Sequence, residues 1–180
     1  MLKMFARLFN HDKIYQASSS TFLKRQNILL YFSKPTKNQI TDILNNRQLL
    51  KILEKNDIAL FVCTKEIPSY VLSKNIHFID EDFIKASKEY IQMLVTDFSP
   101  LSIDFIASDR PIIFFNTSEK ISYYKEKLYN FTTTPEATAN LIIHYIKKNF
   151  VLEDNFKDKN LAFIALNMAG NIETSTSVFD

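Results

Sequence analysis

The stretch Thr96-Asp97-Phe98-Ser99-Pro100-Leu101-Ser102-Ile103-Asp104 carries hydroxyls at Thr96, Ser99 and Ser102 and carboxylates at Asp97 and Asp104. Ser99 is a natural helix N-cap, and Pro100 suits the first helical position, where no amide is needed. The amides of Leu101 and Ser102 would then point out of the helix start and, with the Ser99 and Ser102 hydroxyls, form an anion site. Each such contribution is modest, about 0.3–1 kcal/mol when exposed, but a diphosphate touching several donors would be held firmly. Asp97 is itself an anion and would repel a phosphate placed against it. Asp104, one turn inside the helix, has a structural role as its alternative. On spacing alone, a plain helix start is the better account of Ser99 and Pro100.

Composition sets the frame for this site. The chain has 180 residues, room for one domain plus short appendages, and 46% of them are apolar, enough for a sizeable core. Its formal charge is only +2, with no concentrated basic patch, so no nucleic-acid partner is expected. The single glycine, Gly170, rules out both a Gly-rich dinucleotide fingerprint and a P-loop, which need glycine where backbone approaches phosphate. A nucleotide would have to be held by helix starts and hydroxyls. Cys63 is the only cysteine, so no disulfide framework exists.

The elements that must position the site alternate along the chain. Residues 27–32, 58–63, 76–79, 93–96 and 111–115 are apolar runs of strand length. Helical spacing follows at 38–56, 81–90 and 101–108. Thr134 caps, and Pro135 opens, a helix running to about Asn149. A turn-rich stretch precedes Thr134, and a last helix is expected over 161–168. Strands apolar throughout, alternating with helices, predict a parallel sheet of about five strands covered on both faces, with Val95 and Ile113 central. The expected organisation is an N-terminal amphipathic helix and linker over 1–26, a Rossmann-like nucleotide-binding domain over 27–150, and a C-terminal helix and tail over 151–180. The histidines have plain readings: His77 is a satisfied sheet residue, His144 lies on the polar side of its helix, and His11 is in a loop. No two of them share metal-ligand spacing with a carboxylate or Cys63, so no bound metal is expected.

Over roughly Asn27 to Asn149, and specifically over Thr96–Phe115, the chain resembles the second half of the CDP-glycerol glycerophosphotransferases, which build teichoic-acid and capsule-type polymers. That family carries a pattern close to "DVLITDYSS-x-x-FDF-x-x-x-x-KPIIFF". This chain reads Met93-Leu94-Val95-Thr96-Asp97-Phe98-Ser99-Pro100, then Ile103-Asp104-Phe105, then Asp109-Arg110-Pro111-Ile112-Ile113-Phe114-Phe115, in the same order and spacing. Tyr124 and Leu128-Tyr129 look like the family's "Y…RG-(F/Y)-Y" segment, Thr134-Pro135-Glu136 its T-x-E-E helix opening, and Leu30-Tyr31…Pro35-Thr36 its "LYAPT". The resemblance implies the C-terminal half of a glycosyltransferase-B (GT-B) architecture. It also implies that Asp97, Ser99, Leu101, Ser102 and Asp104 lie around the donor's pyrophosphate. Lys120, Lys125 and Lys127 read on their own as a solvated face; by the resemblance they stand toward the same cleft, Lys127 where the family has Arg-Gly, and a lysine cannot copy a bidentate arginine.

The departures bear on activity. Pro100 replaces the family's second serine and Phe98 its tyrosine. Ile67 stands where the family's "K-x-HP" motif has histidine, between Lys65 and Pro68, so a base or phosphate-polarising group is absent there. The half carrying the acceptor site is also missing. The resemblance therefore implies transfer of glycerol or polyol phosphate from a CDP donor to a polymer or glycolipid acceptor, with CDP-glycerol as donor substrate and no separate cofactor. A companion chain would supply the other GT-B half. The rival readings are a non-catalytic or remnant nucleotide-binding domain and a GT-B glycosyltransferase using another sugar nucleotide.

A cytoplasmic location is expected, with a peripheral role at the inner membrane face as its extension. Leu2, Phe5, Leu8 and Phe9 form a short stripe beside Lys3 and Arg7 that would either pack on the domain or lie on an anionic bilayer. Flotation of full-length protein and a variant lacking residues 1–10 on anionic vesicles separates the two. Loss of binding on deletion assigns the stripe to the bilayer, and equal behaviour assigns it to packing.

Overall fold

The computed structural model describes residues 26–32, 37–64, 73–97, 99, 101–115, 130–152 and 156. The segment 1–25, Lys127 and the expected helix at 161–168 lie outside them. Along the described chain run β1 (Asn27–Tyr31), α1 (Lys37–Leu44), α2 (Arg47–Lys55), β2 (Ala59–Cys63), β3 (Ile76–Phe78), α3 (Glu81–Ser87) with a 3-10 turn at Lys88–Tyr90, β4 (Met93–Thr96), α4 (Leu101–Ala107), β5 (Ile112–Phe115), β6 (Phe131–Thr132) and α5 (Pro135–Lys147).

All the pairings are parallel, and the six strands lie in the order β3-β2-β1-β4-β5-β6. Side chains alternate across a strand, and here both faces are buried, which explains the apolar runs. Ile28, Leu30, Leu60, Val62, Met93, Val95 and Ile113 form one layer with apolar residues of α1, α2 and α5. Leu29, Phe61, Leu94, Ile112 and Phe114 form the other with Phe83 and Ile84 of α3 and Phe105 and Ile106 of α4. This is the single parallel α/β domain expected from the sequence.

Two details differ from the sequence reading. The helical spacing over 38–56 is two helices, because the Asn46 side chain accepts hydrogen bonds from the amides of Gln48 and Leu49 at 3.1 and 3.0 Å and so caps a new helix. The sixth strand was not expected: Phe131–Thr132 is two residues long and sits among turn residues, with no apolar run to announce it.

The scarcity of glycine leaves a structural mark. Asp57, Asp109, Asn130, Asn149 and Phe150 all adopt positive φ, between 52° and 61°. Three of them end helices in the manner usually given to glycine. Just past Asp57, Asp109 and Asn149, the amides of Ile58, Arg110 and Phe150 reach back to the carbonyls of Leu53, Phe105 and Tyr145 at 2.9, 3.0 and 2.8 Å. Asp and Asn tolerate this region better than other residues with a Cβ.

Asn130 turns the chain into β6. Its Nδ2 donates to the Ile112 carbonyl at 3.2 Å and to Tyr145 Oη at 2.6 Å, joining β5 to α5. Asn130→Ala should lower unfolding free energy by about 2 kcal/mol, from lost hydrogen bonds and the left-handed backbone together. Asn130→Gly keeps the backbone freedom and should cost less. Urea unfolding of the three proteins checks this; equal losses for Ala and Gly would show that φ plays no part.

Candidate functional site

In a doubly wound parallel sheet, the crevice for a ligand opens beyond the carboxyl ends of the strands, where successive connections leave in opposite directions. Here that point is between β1 and β4: the helices after β1 cover one face and α4 after β4 covers the other. Tyr31 and Thr96 are paired in register at the ends of these strands, so Asp97, which follows Thr96, leaves the sheet at the mouth of the crevice.

Asp97 is half-buried just past β4. Ser99 is buried, and its Oγ accepts from the Leu101 amide at 3.1 Å, so it caps α4 as expected. Ser102 is buried too, and both its amide and its hydroxyl donate to the Ser99 carbonyl, at 3.0 and 2.7 Å. The sequence reading had four convergent free donors; three of them are turned inward onto Ser99. The reason is local: a serine cap uses the helix's first amides, and Ser102, one turn on, folds back onto the same residue. Of the four, the Ser99 hydroxyl retains its own hydrogen for an incoming anion.

Asp104 sits apart from these groups. Its Oδ2 accepts from Lys88 Nζ at 2.7 Å on an exposed surface. Lys88 belongs to the turn that precedes β4, and its carbonyl, with that of Ile91, accepts from Arg110 at 2.6 and 2.9 Å. The Arg110 guanidinium lies 3.9 Å from the centre of the Phe105 ring, and burial lowers its pKa. Asp104 thus braces α4 against the opposite edge of the sheet.

The crevice has a second wall that the sequence reading did not single out. Cys63, Tyr31, Thr96 and Phe114 form a row across four strands, one residue from each. All point to the α3/α4 side, as their neighbours Leu29, Phe61 and Leu94 do. Tyr31 Oη donates to Glu81 Oε1 at 3.3 Å, linking β1 to the start of α3, which Asp80 caps through the Phe83 amide at 2.8 Å. Burial, then Glu81, with lesser effects of Cys63 and Asp97, raises the pKa of Tyr31. Burial, then Glu81 and Asp80, pushes the Cys63 thiol up to about 11. The only sequence signal for this wall was that each residue lies within or at the end of an apolar run.

His77 is buried in β3, with its ring 5.5 Å from that of Phe61, and His144 is half-buried on α5. No helix among the described residues is long and apolar enough to cross a membrane.

No protein-family model and no curated protein sequence matches the chain. Solved structures do. Staphylococcus aureus MnaA in a co-structure with UDP superposes with a TM-score of 0.55 at 14% identity, over 81% of this chain and 43% of that one. The likeness is one of fold, a single parallel α/β domain. The glycotransferase of kitacinnamycin gives a TM-score of 0.48 at 11% identity, over 84% of this chain and 40% of its own. The wall teichoic acid polymerase TagF, soaked with CDPG, gives 0.47 at 18%, over 78% and 37%. The chain therefore spans less than half the length of each of these structures.

The Cys63 wall yields a test with a definite sign. A thiol whose pKa is raised on folding contributes stability that is complete below about pH 9 and lost as pH rises through about 11. Native protein at pH 8 should react with iodoacetamide at least about tenfold more slowly than urea-unfolded protein. The fall in stability between these pH values should be shallower in Cys63→Ser. Equal alkylation rates in the two states would contradict the assignment.

Proposed function

We propose that this domain binds the nucleotide diphosphate of a CDP-glycerol-type donor in the crevice between β1 and β4. The observation that carries the reading is the position of Thr96, Asp97, Ser99, Leu101 and Ser102. The block that resembles the CDP-glycerol glycerophosphotransferases leaves β4 at the switch point of the sheet, where such folds take their ligands. The fold shared with MnaA, a protein captured with UDP, supports a nucleotide as the ligand class.

In the full reaction, the acceptor hydroxyl oxygen forms a bond to the phosphorus bearing glycerol. The bridging P–O bond of the pyrophosphate breaks, CMP leaves with the electron pair, and the acceptor's proton passes to a base. Electrostatic stabilisation of the leaving phosphate falls to Ser99, with Leu101 and Ser102 joining once their bonds to Ser99 exchange for bonds to the ligand. Lys127 is proposed to approach the same phosphates, and Asp97 to meet a hydroxyl of the donor. No histidine stands at Ile67, so the base comes from a companion chain that also carries the acceptor half. The inward-turned amides favour a second reading, a domain that binds nucleotide without transferring anything.

Isothermal titration with CDP, CMP and inorganic phosphate tests the binding step. CDP should bind wild type more tightly than CMP or phosphate. Ser99→Ala should weaken CDP by about tenfold through one lost phosphate contact and a looser cap. Ser99→Asp keeps the cap but sets a negative charge against the diphosphate, and should weaken it more. Absence of CDP binding at millimolar concentration would overturn the proposal. Binding that Ser99→Asp leaves unchanged would move the nucleotide elsewhere.

A further inference from the structure

Apolar packing holds α4 against the sheet without setting its direction, because the attraction between apolar surfaces is non-directional. The buried residues of α4 are Ser102, Phe105 and Ile106, on a helix of only seven residues. A helix that short, about 10 Å long, can turn in the plane of the sheet unless polar bonds hold it at two separate points. One such bond leaves a pivot, and two set a direction.

The first tie is the Lys88–Asp104 ion pair, 2.7 Å, in the middle of α4. Both side chains are about half exposed, so the pair is weak on its own. Arg110 supplies the second tie. Its backbone amide donates to the Phe105 carbonyl at 3.0 Å and closes the end of α4, just past Asp109 with its positive φ. Its side chain then reaches across to the turn before β4. Nη1 donates to the Lys88 and Ile91 carbonyls at 2.6 and 2.9 Å, and Nε donates to Ser108 Oγ at 2.7 Å. The guanidinium also lies 3.9 Å from the centre of the Phe105 ring, so one planar group grips both α4 and the turn. A lysine ammonium has no fork with which to make all these contacts at once. In the pattern that this block resembles, lysine stands before the proline; here Arg110 precedes Pro111.

We propose that Arg110 is a positioning residue for ligand binding: from the opposite edge of the sheet it fixes the direction in which α4 carries Ser99 and Leu101 to the crevice. The inference rests on the nucleotide reading above and goes beyond it, because it makes affinity depend on a residue that touches no ligand. The dependence is steep, since binding groups have to be held within about 0.5 Å of their working geometry.

Two measurements on wild type, Arg110→Lys, Arg110→Ala and Asn75→Ala test this. Residual dipolar couplings of the amides in ligand-free protein report the direction of α4 relative to the strands, and isothermal titration reports CDP affinity. Asn75 is the control for stability alone: it is buried, and its Nδ2 donates to the Leu53 and Ile58 carbonyls at 3.2 and 2.9 Å, holding the end of α2 and not α4. Arg110→Ala should weaken CDP roughly tenfold and Arg110→Lys roughly threefold, with the α4 couplings displaced in both and those of the strands unchanged. Asn75→Ala should lower the melting temperature yet bind CDP within about twofold of wild type. Arg110→Lys keeps the charge and can still reach a carbonyl, so it carries the test should Arg110→Ala fail to fold. An Arg110→Lys protein that matches wild type in both readouts would overturn the positioning role. So would weaker CDP binding with the α4 couplings unmoved, or an equal loss of CDP in Asn75→Ala; in each of these cases nucleotide binding itself stands. Failure of wild type to bind CDP would remove the nucleotide reading, and the ligand role of Arg110 with it.

Discussion

The in-register pairing of β1 with β4 is the contact on which the rest of the molecule depends. Leu29 lies beside Leu94 and Tyr31 beside Thr96, although more than sixty residues of α/β chain separate them, as the reach from Asn27 to Gln92 (|i−j| = 65) at the strand's start shows. The pairing sends α1 and α2 to one face and α4 to the other, which opens the crevice at their shared carboxyl ends. Polar contacts secure it from the opposite edge. The Asn27 amide bonds Gln92 Oε1 at 2.5 Å, and its Nδ2 donates to the Tyr90 carbonyl at 2.8 Å. Arg110 holds the same connection through the Lys88 and Ile91 carbonyls. The edge away from the crevice is thus tied down by half-buried hydrogen bonds, while at the other edge Thr96 Oγ1 has no partner.

A second constraint runs through the whole chain: it must do without glycine in its turns. Aspartate and asparagine take the left-handed positions that end α2, α4 and α5, and a serine cap replaces the Gly-rich loop at the crevice. The substitution has a consequence for binding. A Gly-rich loop presents bare amides to phosphate, whereas Ser99 satisfies the first amide of α4 with its own side chain. Any anion taken here has to exchange with bonds the protein already makes, which favours a ligand that brings further contacts of its own.

Much of the fold was legible because it is local. The runs ending at Tyr31, Cys63 and Thr96 read as strands from their unbroken apolarity, and Pro135 behind Thr134 marked the start of α5. The break at Asn45 and Asn46 was hidden because apolar spacing continues through it, and only the Asn46 side-chain bonds reveal a new helix. The two residues of β6 were hidden because their strand character comes from pairing with Phe114 and Phe115, not from their own sequence. The site divides in the same way. Ser99 was found because capping and helix start are sequence-local. The wall of Cys63, Tyr31, Thr96 and Glu81 was not, because it exists only once β2, β1 and β4 lie side by side and α3 returns over them.

The central claim is that the nucleotide occupies the crevice at the carboxyl ends of β1 and β4. Amide chemical-shift mapping of isotope-labelled protein during titration with CDP tests it most directly. Saturable shifts are expected at Tyr31, Thr96, Asp97, Ser99 and Leu101, with Lys88, Ile91 and Arg110 at the opposite edge unmoved. Shifts centred on that opposite edge, or none at any residue of the crevice, would contradict it.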